Sequence, residues 1–301
     1  LELIPDEKDT ELQLKFSEYK ARNIGKIQFF QNSRINTSRT MTINDLFTGR
    51  ALFCIDTLLD QICRYEPEVQ RALLLVLTSS SGQMSKMVFA ITNRGKYTGI
   101  RGDRIEVGSW AIGYWRPKIH FEINVWNCFI NKANKLLKSL ESIDRNPCVA
   151  ISKSLDDLFD SNSNLLLILG DVKREIQNIT TNSIDLVITD PPHGDRIPYL
   201  ELSAMWNALL NVEPVYANEI VVSNAKERGK DLELYSKSMK EVISQLFRVI
   251  KPNGIIALIF NASDRKYWEF LLNASKNKGV DFVGCFPMSY SASSIVQDNR
   301  R

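Results

Sequence analysis

"LLLILGDVKREIQNITTNSIDLVITDPP", residues 165–192, decides the fold. Two short apolar runs, 165–169 and 185–189, are each too brief for a helix and rich enough in Leu, Ile and Val for a buried strand. The first ends in Gly170-Asp171 and the second in Asp190-Pro191-Pro192. Further on, helical periodicity over about 199–210 and 232–250 leads through the turn "KPNG" (251–254) into "IIALIF" (255–260). A helix from Ser263 to about Lys276 and a strand "DFVGCF" (281–286) complete the alternation. Continuous apolar strands separated by helices predict a parallel sheet covered on both faces. In such sheets ligands bind beyond the carboxyl ends of the strands. Gly170-Asp171 and Asp190-Pro191-Pro192 occupy those ends.

Upstream, residues 43–78 carry apolar residues at helical spacing, with Asn44 as a candidate cap and Phe47 in the first turn. A second amphipathic helix is expected over about 122–140. Between them lies the Gly-rich stretch 86–118, with seven basic residues against two acidic ones and Tyr97, Trp110, Tyr114 and Trp115 interleaved. Arg94, Lys96 and Arg101 in that stretch suit phosphate contacts. A solvated hairpin whose aromatic rings fill the core accounts for the same pattern. The polar stretch 156–164 reads as a linker, giving an N-terminal extension (1–42), a helical region (43–155) and an α/β region (156–301).

Composition removes several classes. The 44% apolar share supports a large core, no run of about 18 apolar residues exists to span a membrane, and no secretory signal opens the chain. Five scattered cysteines without a CxxC pair, and two histidines, argue against structural zinc and for reduced thiols in a cytoplasmic protein. A net charge of +3 does not by itself imply nucleic acid. The missing initiator Met suggests a piece of a longer chain.

At a strand end, Asp-Pro-Pro fixes two φ angles and removes two N–H donors. It leaves a stiff edge of carbonyl oxygens and one carboxylate, suited to a ligand group that is itself a donor, such as an exocyclic NH2. Together, "DLVITDPPHGD", "ELSAMW" and "RVIKPNGIIALIF" resemble the S-adenosylmethionine-dependent amino-methyltransferases of DNA that carry an Asp-Pro-Pro-Tyr motif. The resemblance covers roughly residues 165–286. It implies an α/β fold, a Rossmann-like methyltransferase sheet with helices on both faces, beside a mainly helical N-terminal region with a Gly-rich basic insertion. It also implies methyl transfer to the amino group of a flipped DNA base, adenine favoured, with S-adenosyl-L-methionine as cofactor. Asp190, Pro191 and Pro192 would hold the amine, and His193 would take the position of the family's stacking aromatic. Gly170 and Asp171 would approach the cofactor, while Arg196 and Tyr199 would join Arg94, Lys96 and Arg101 on the DNA. "DLFTGRALFCIDTLLDQI" and "YWRPKIHFEINVWNCFINKANKLL" are similar to segments upstream of Asp-Pro-Pro in large DNA methylases.

Two departures qualify what is implied. His193 stands where Tyr or Phe is usual, and Tyr199 is a candidate replacement surface. The family's Gly-x-Gly cofactor loop is absent among the fourteen glycines. A preceding segment or a second chain would supply it, or the chain binds no cofactor. An RNA amino-methyltransferase and a catalytically silent module that binds DNA or a partner are the alternatives. Glu201 is read as orienting His193 or Arg196 or as exposed, and His120 as a packed core residue.

Overall fold

The computed structural model describes residues 6–91, 106–107, 113–142, 149–160, 163–262, 264–274 and 279–287. In chain order the elements are α1 (Glu7–Phe16), α2 (Gly49–Ile62), α3 (Pro67–Met84), β1 (Ala90–Ile91), β2 (Glu106–Val107), α4 (Val125–Ser142), α5 (Leu155–Phe159), α6 (Val172–Glu175), β3 (Ile184–Thr189), α7 (Tyr199–Leu202), α8 (Ala204–Leu210), α9 (Leu232–Val249), β4 (Ile250–Leu258) and α10 (Glu269–Ala274). The protein is thus mixed helix and sheet.

β3 and β4 run parallel, in register from Leu186↔Ile255 to Thr189↔Leu258. The pairing slips between Ile184↔Ile250 and Leu186↔Ile255, so Lys251, Pro252, Asn253 and Gly254 bulge out of the ladder. Pro252 has no N–H to donate, and Asn253 takes the left-handed conformation at φ 64°. The expected KPNG turn is therefore a bulge inside a strand. Gly254 is needed there, because a Cβ would meet the Ile250 side chain at 2.6 Å.

Two apolar runs read as strands are not strands. Of 165–169, only Leu165 pairs, in a parallel bridge with Ile151, and Leu167 and Leu169 lie exposed. Residues 281–286 are irregular, with Phe282, Val283 and Phe286 exposed. Short apolar runs become strands only where an edge receives them, and β3–β4 is a two-stranded parallel sheet among the described residues. It carries Leu186, Ile188 and Ile255 in solvent.

The helices follow the periodicity more closely, with punctuation the periodicity lacks. Residues 43–84 break into a 3-10 turn (Ile43–Leu46), α2 and α3. Thr42, not Asn44, opens the turn, in a capping box with Asp45, and Thr48 caps α2 by accepting from the Ala51 N–H. Phe47 sits extended between them and is buried, outside any first turn. Pro67 starts α3, where its missing N–H costs nothing. The expected 199–210 helix splits into α7 and α8 at Ser203, and the described part of the expected 263–276 helix is a 3-10 turn (Arg265–Trp268) followed by α10. α9 matches its expected span, capped by Asp231 on the Leu234 N–H at 2.8 Å.

Two apolar clusters hold the chain. The first joins Ile24, Phe29, Ile35 and Met41 to α2, α3 and α4, and to Ala204, Met205, Ala208 and Leu209 of α8. The second packs Tyr235, Met239, Ile243, Leu246 and Val249 of α9 on the sheet and on Phe270 of α10. Packing therefore crosses residue 156, since α8 belongs with the helices, and Ile24, Phe29, Ile35 and Met41 of the N-terminal segment lie in their core. α5 occupies part of the expected linker.

Candidate functional site

Asp190 follows the last residue of β3, beside the end of β4, where the Ile259 N–H donates to the Thr189 carbonyl at 2.9 Å. Its side chain is 63% exposed, whereas the imidazole of His193 is 15% exposed. His193 Nε2 lies 3.2 Å from Asp190 Oδ1. On the other side of the ring, Nδ1 accepts from the Asn261 backbone N–H at 3.3 Å. Accepting at Nδ1 leaves the proton of a neutral ring on Nε2, directed at Asp190. The ring also packs on Phe260, centroid to centroid 5.3 Å. His193 is thus a support for Asp190 wedged between two strand ends.

The loop after Asp190 is clamped. Tyr235 Oη, from α9, donates to the Pro192 carbonyl at 2.6 Å and accepts from the Gly194 N–H. Burial pushes its phenol well above the ordinary range, so it stays a donor. One lone pair of the Pro192 carbonyl is thus taken by Tyr235, and the exposed acceptor at this edge is the Asp190 carboxylate. Gly194 takes φ 68°, and a Cβ there would lie 2.5 Å from the Tyr267 ring. Its carbonyl accepts from Val222 N at 3.1 Å. Arg34 pairs with the Asp195 carboxylate at 3.3 Å and donates to its carbonyl.

Arg196 and Tyr199 are exposed. Arg196 reaches back to the Asn261 carbonyl at 3.4 Å. The Tyr199 phenol is raised by partial burial and then by the Asp190 charge, with Arg196 opposing. Asp190, His193, Arg196 and Tyr199 therefore share one neighbourhood at the strand ends. Arg94, Lys96 and Arg101 lie outside the described residues, as do Tyr97 and Trp110. Of the other aromatics in that stretch, Tyr114 is buried, donating to the Leu202 carbonyl at 2.6 Å, and Trp115 is exposed against Phe89.

Gly170 and Asp171 do not form a cradle. Asp171 caps α6, accepting from the Lys173 N–H at 3.0 Å. A Cβ on Gly170 would meet the Glu175 side chain at 2.7 Å, so the glycine makes room for a neighbour in its own chain. Nor does an ordered strand lead into them. Fit of a bound S-adenosylmethionine to these residues is therefore not met.

Glu201 neither faces His193 nor lies exposed. It is buried, its Oε1 2.9 Å from Arg228 Nη1, and its Oε2 accepts from Asn32 at 2.7 Å. Arg228, 1% exposed, places Nη2 2.8 Å from Glu219 Oε2 and stacks over Phe30 and Tyr216. Glu219 Oε1 in turn accepts from the Leu200 N–H at 2.9 Å. This network fixes α7, and with it Tyr199, to the N-terminal segment. His120 is half-buried in a bridge with Phe89 rather than packed in the core.

Sequence reasoning missed Tyr235, Asn261, Phe260 and Arg34. Tyr235 alone left a signal: a hydroxyl within an apolar helical stripe must find a partner. Among the described residues no group of three or more His, Cys, Asp or Glu is placed to hold a metal, and no helix is long and apolar enough to cross a membrane. Compared with protein families, curated proteins and solved structures, the chain matches none.

Proposed function

We propose that this chain is the amine-holding part of a DNA amino-methyltransferase, taking the exocyclic NH2 of a base rotated out of the duplex, adenine favoured. The observation that carries the proposal is the exposed Asp190 carboxylate, backed by an oriented His193, at the carboxyl ends of two parallel strands. An NH2 group has two hydrogens; Asp190 accepts one and the Pro191 carbonyl the other. Holding both fixes the nitrogen lone pair in direction, which is what a displacement at a methyl group requires. Asp190 is also the group positioned to take the proton the nitrogen sheds once it has gained a methyl. His193 keeps the carboxylate in place through Nε2–H. Tyr199 and Arg196 flank the base and its phosphate.

S-adenosyl-L-methionine is the donor that goes with this chemistry. Because Gly170 and Asp171 serve α6, the donor is assigned to a further polypeptide segment completing the Rossmann-like sheet, on this chain or a second one. The uncovered Leu186, Ile188 and Ile255 support such an addition. Cytoplasmic residence accords with Cys54, Cys63, Cys128 and Cys285 being free among the described residues. A silent binding module is the second reading, favoured by the N-capping Asp171 and the Pro192 carbonyl bonded to Tyr235.

The test compares single-stranded oligonucleotides containing adenine with the same strands containing purine, which lacks the amino group. Wild-type protein is expected to prefer adenine by about tenfold, ~1.4 kcal/mol, and Asp190→Ala to lose the preference while still binding the strand. Equal affinity of wild type for both strands would refute amine holding. Transfer of labelled methyl once the completing segment is supplied separates the enzyme from the silent module.

A further inference from the structure

α3 and α4 enclose an open groove of about 410 Å3 that lies apart from the residues around Asp190. Gln83 lines it from α3, and Asn131, Lys132, Asn134, Lys135 and Lys138 line it from α4. Three lysines at steps of three residues ascend the helix by about 9 Å at ~1.5 Å per residue. None of the three has an ion-pair partner among the described residues; the pairs formed nearby, such as Arg50–Glu122 and Arg116–Asp45, use other groups. Among the described residues no carboxylate lines the groove, so three like charges face it.

The lining selects the ligand. Three ammonium groups and three carboxamides, without an acceptor charge, reject cations and amines and favour an anion. Among the described residues no aromatic ring lines the groove for a base or nucleoside to stack on. Lysines spread over about 9 Å of an open groove suit an extended ligand rather than a compact one. Successive phosphates of one DNA strand are about 3.4 Å apart along the helix axis, so the lysine ladder spans roughly three of them.

We infer that the α3–α4 groove is a seat for the phosphodiester backbone of a nucleic-acid strand, contacting phosphates and not bases. Such contacts set register and orientation without reading sequence. The seat needs no amine chemistry at Asp190, so it stands or falls separately from the function proposed above.

The test is fluorescence anisotropy of a labelled duplex of arbitrary sequence across a potassium chloride series. For Lys132→Gln/Lys135→Gln/Lys138→Gln, the slope of log K against log salt is expected to fall in magnitude by about 2.7, at ~0.9 for each phosphate no longer neutralised. Lys135 and Lys138 are exposed, so the double variant K135Q/K138Q, expected to reduce the slope by about 1.8, serves if the triple variant fails to fold. K8Q/K15Q on α1 is the charge control and should leave the slope unchanged. An unaltered slope in the groove variants, or an equal reduction in the control, overturns the inference. So does polyglutamate binding the wild type as tightly as duplex and responding equally to the groove variants.

Discussion

The Asp-Pro-Pro loop is tied to α9 by one phenol. Tyr235→Phe removes the bond to the Pro192 carbonyl and the acceptor for the Gly194 N–H while keeping the ring in the core. A loss of about 1–3 kcal/mol is expected in urea unfolding, together with a weaker preference for adenine over purine. Gly194→Ala places a methyl into the Tyr267 ring at a positive φ, and should cost at least ~1–3 kcal/mol. A melting temperature equal to wild type would show that the loop tolerates movement. Arg228→Met strands Glu201 and Glu219 as buried carboxylates, and about 3–5 kcal/mol should be lost. Arg228→Lys should fall between, since a point charge cannot span both acids. Unchanged stability in Arg228→Met would mean water reaches the site.

At the scale of elements, helices were legible and edges were not. α9 matches its periodicity because its stripe, Tyr235, Met239, Ile243 and Leu246, and its Asp231 cap agree. Asp231→Ala should therefore cost about 1 kcal/mol, read from the urea midpoint. The runs 165–169 and 281–286 are at least as apolar as β3, yet content does not say which neighbour pairs with them. That information is non-local. The same physics governs the site: the Asp190 position followed from a strand-end motif, whereas its supports come from afar. Asn261 is 68 residues from His193, and Arg34 is 161 from Asp195. No local signal marks such partners. Glu201 was misread because its partner Arg228 sits in an irregular polar stretch that shows no periodicity.

Across the whole molecule, charge pairs between distant segments close the structure. Glu227 accepts from Nε and Nη2 of Arg39 and from the Gln31 N–H. Arg39 foremost, then the Gln31 N–H, lowers its carboxyl to about 2. The folded value lies below the unfolded value near 4.3, so this contribution is full above the unfolded value and is lost as pH falls from about 5 through about 2. Glu227→Gln should flatten the dependence of stability on pH across that window and leave the slope above about pH 6 as in wild type. Urea melts at about pH 3 and pH 7 measure it; an unchanged difference between the two would assign acid sensitivity to other carboxylates.

The crossover from β3 to β4 places α8 in the helical cluster before α9 returns to the sheet. The strands cannot separate without strain reaching Ala204, Met205, Ala208 and Leu209, which are all but inaccessible to water. Heat should therefore melt helices and sheet together, as one calorimetric transition whose van't Hoff and measured enthalpies agree. Proteases should find no intermediate in which one half survives the other.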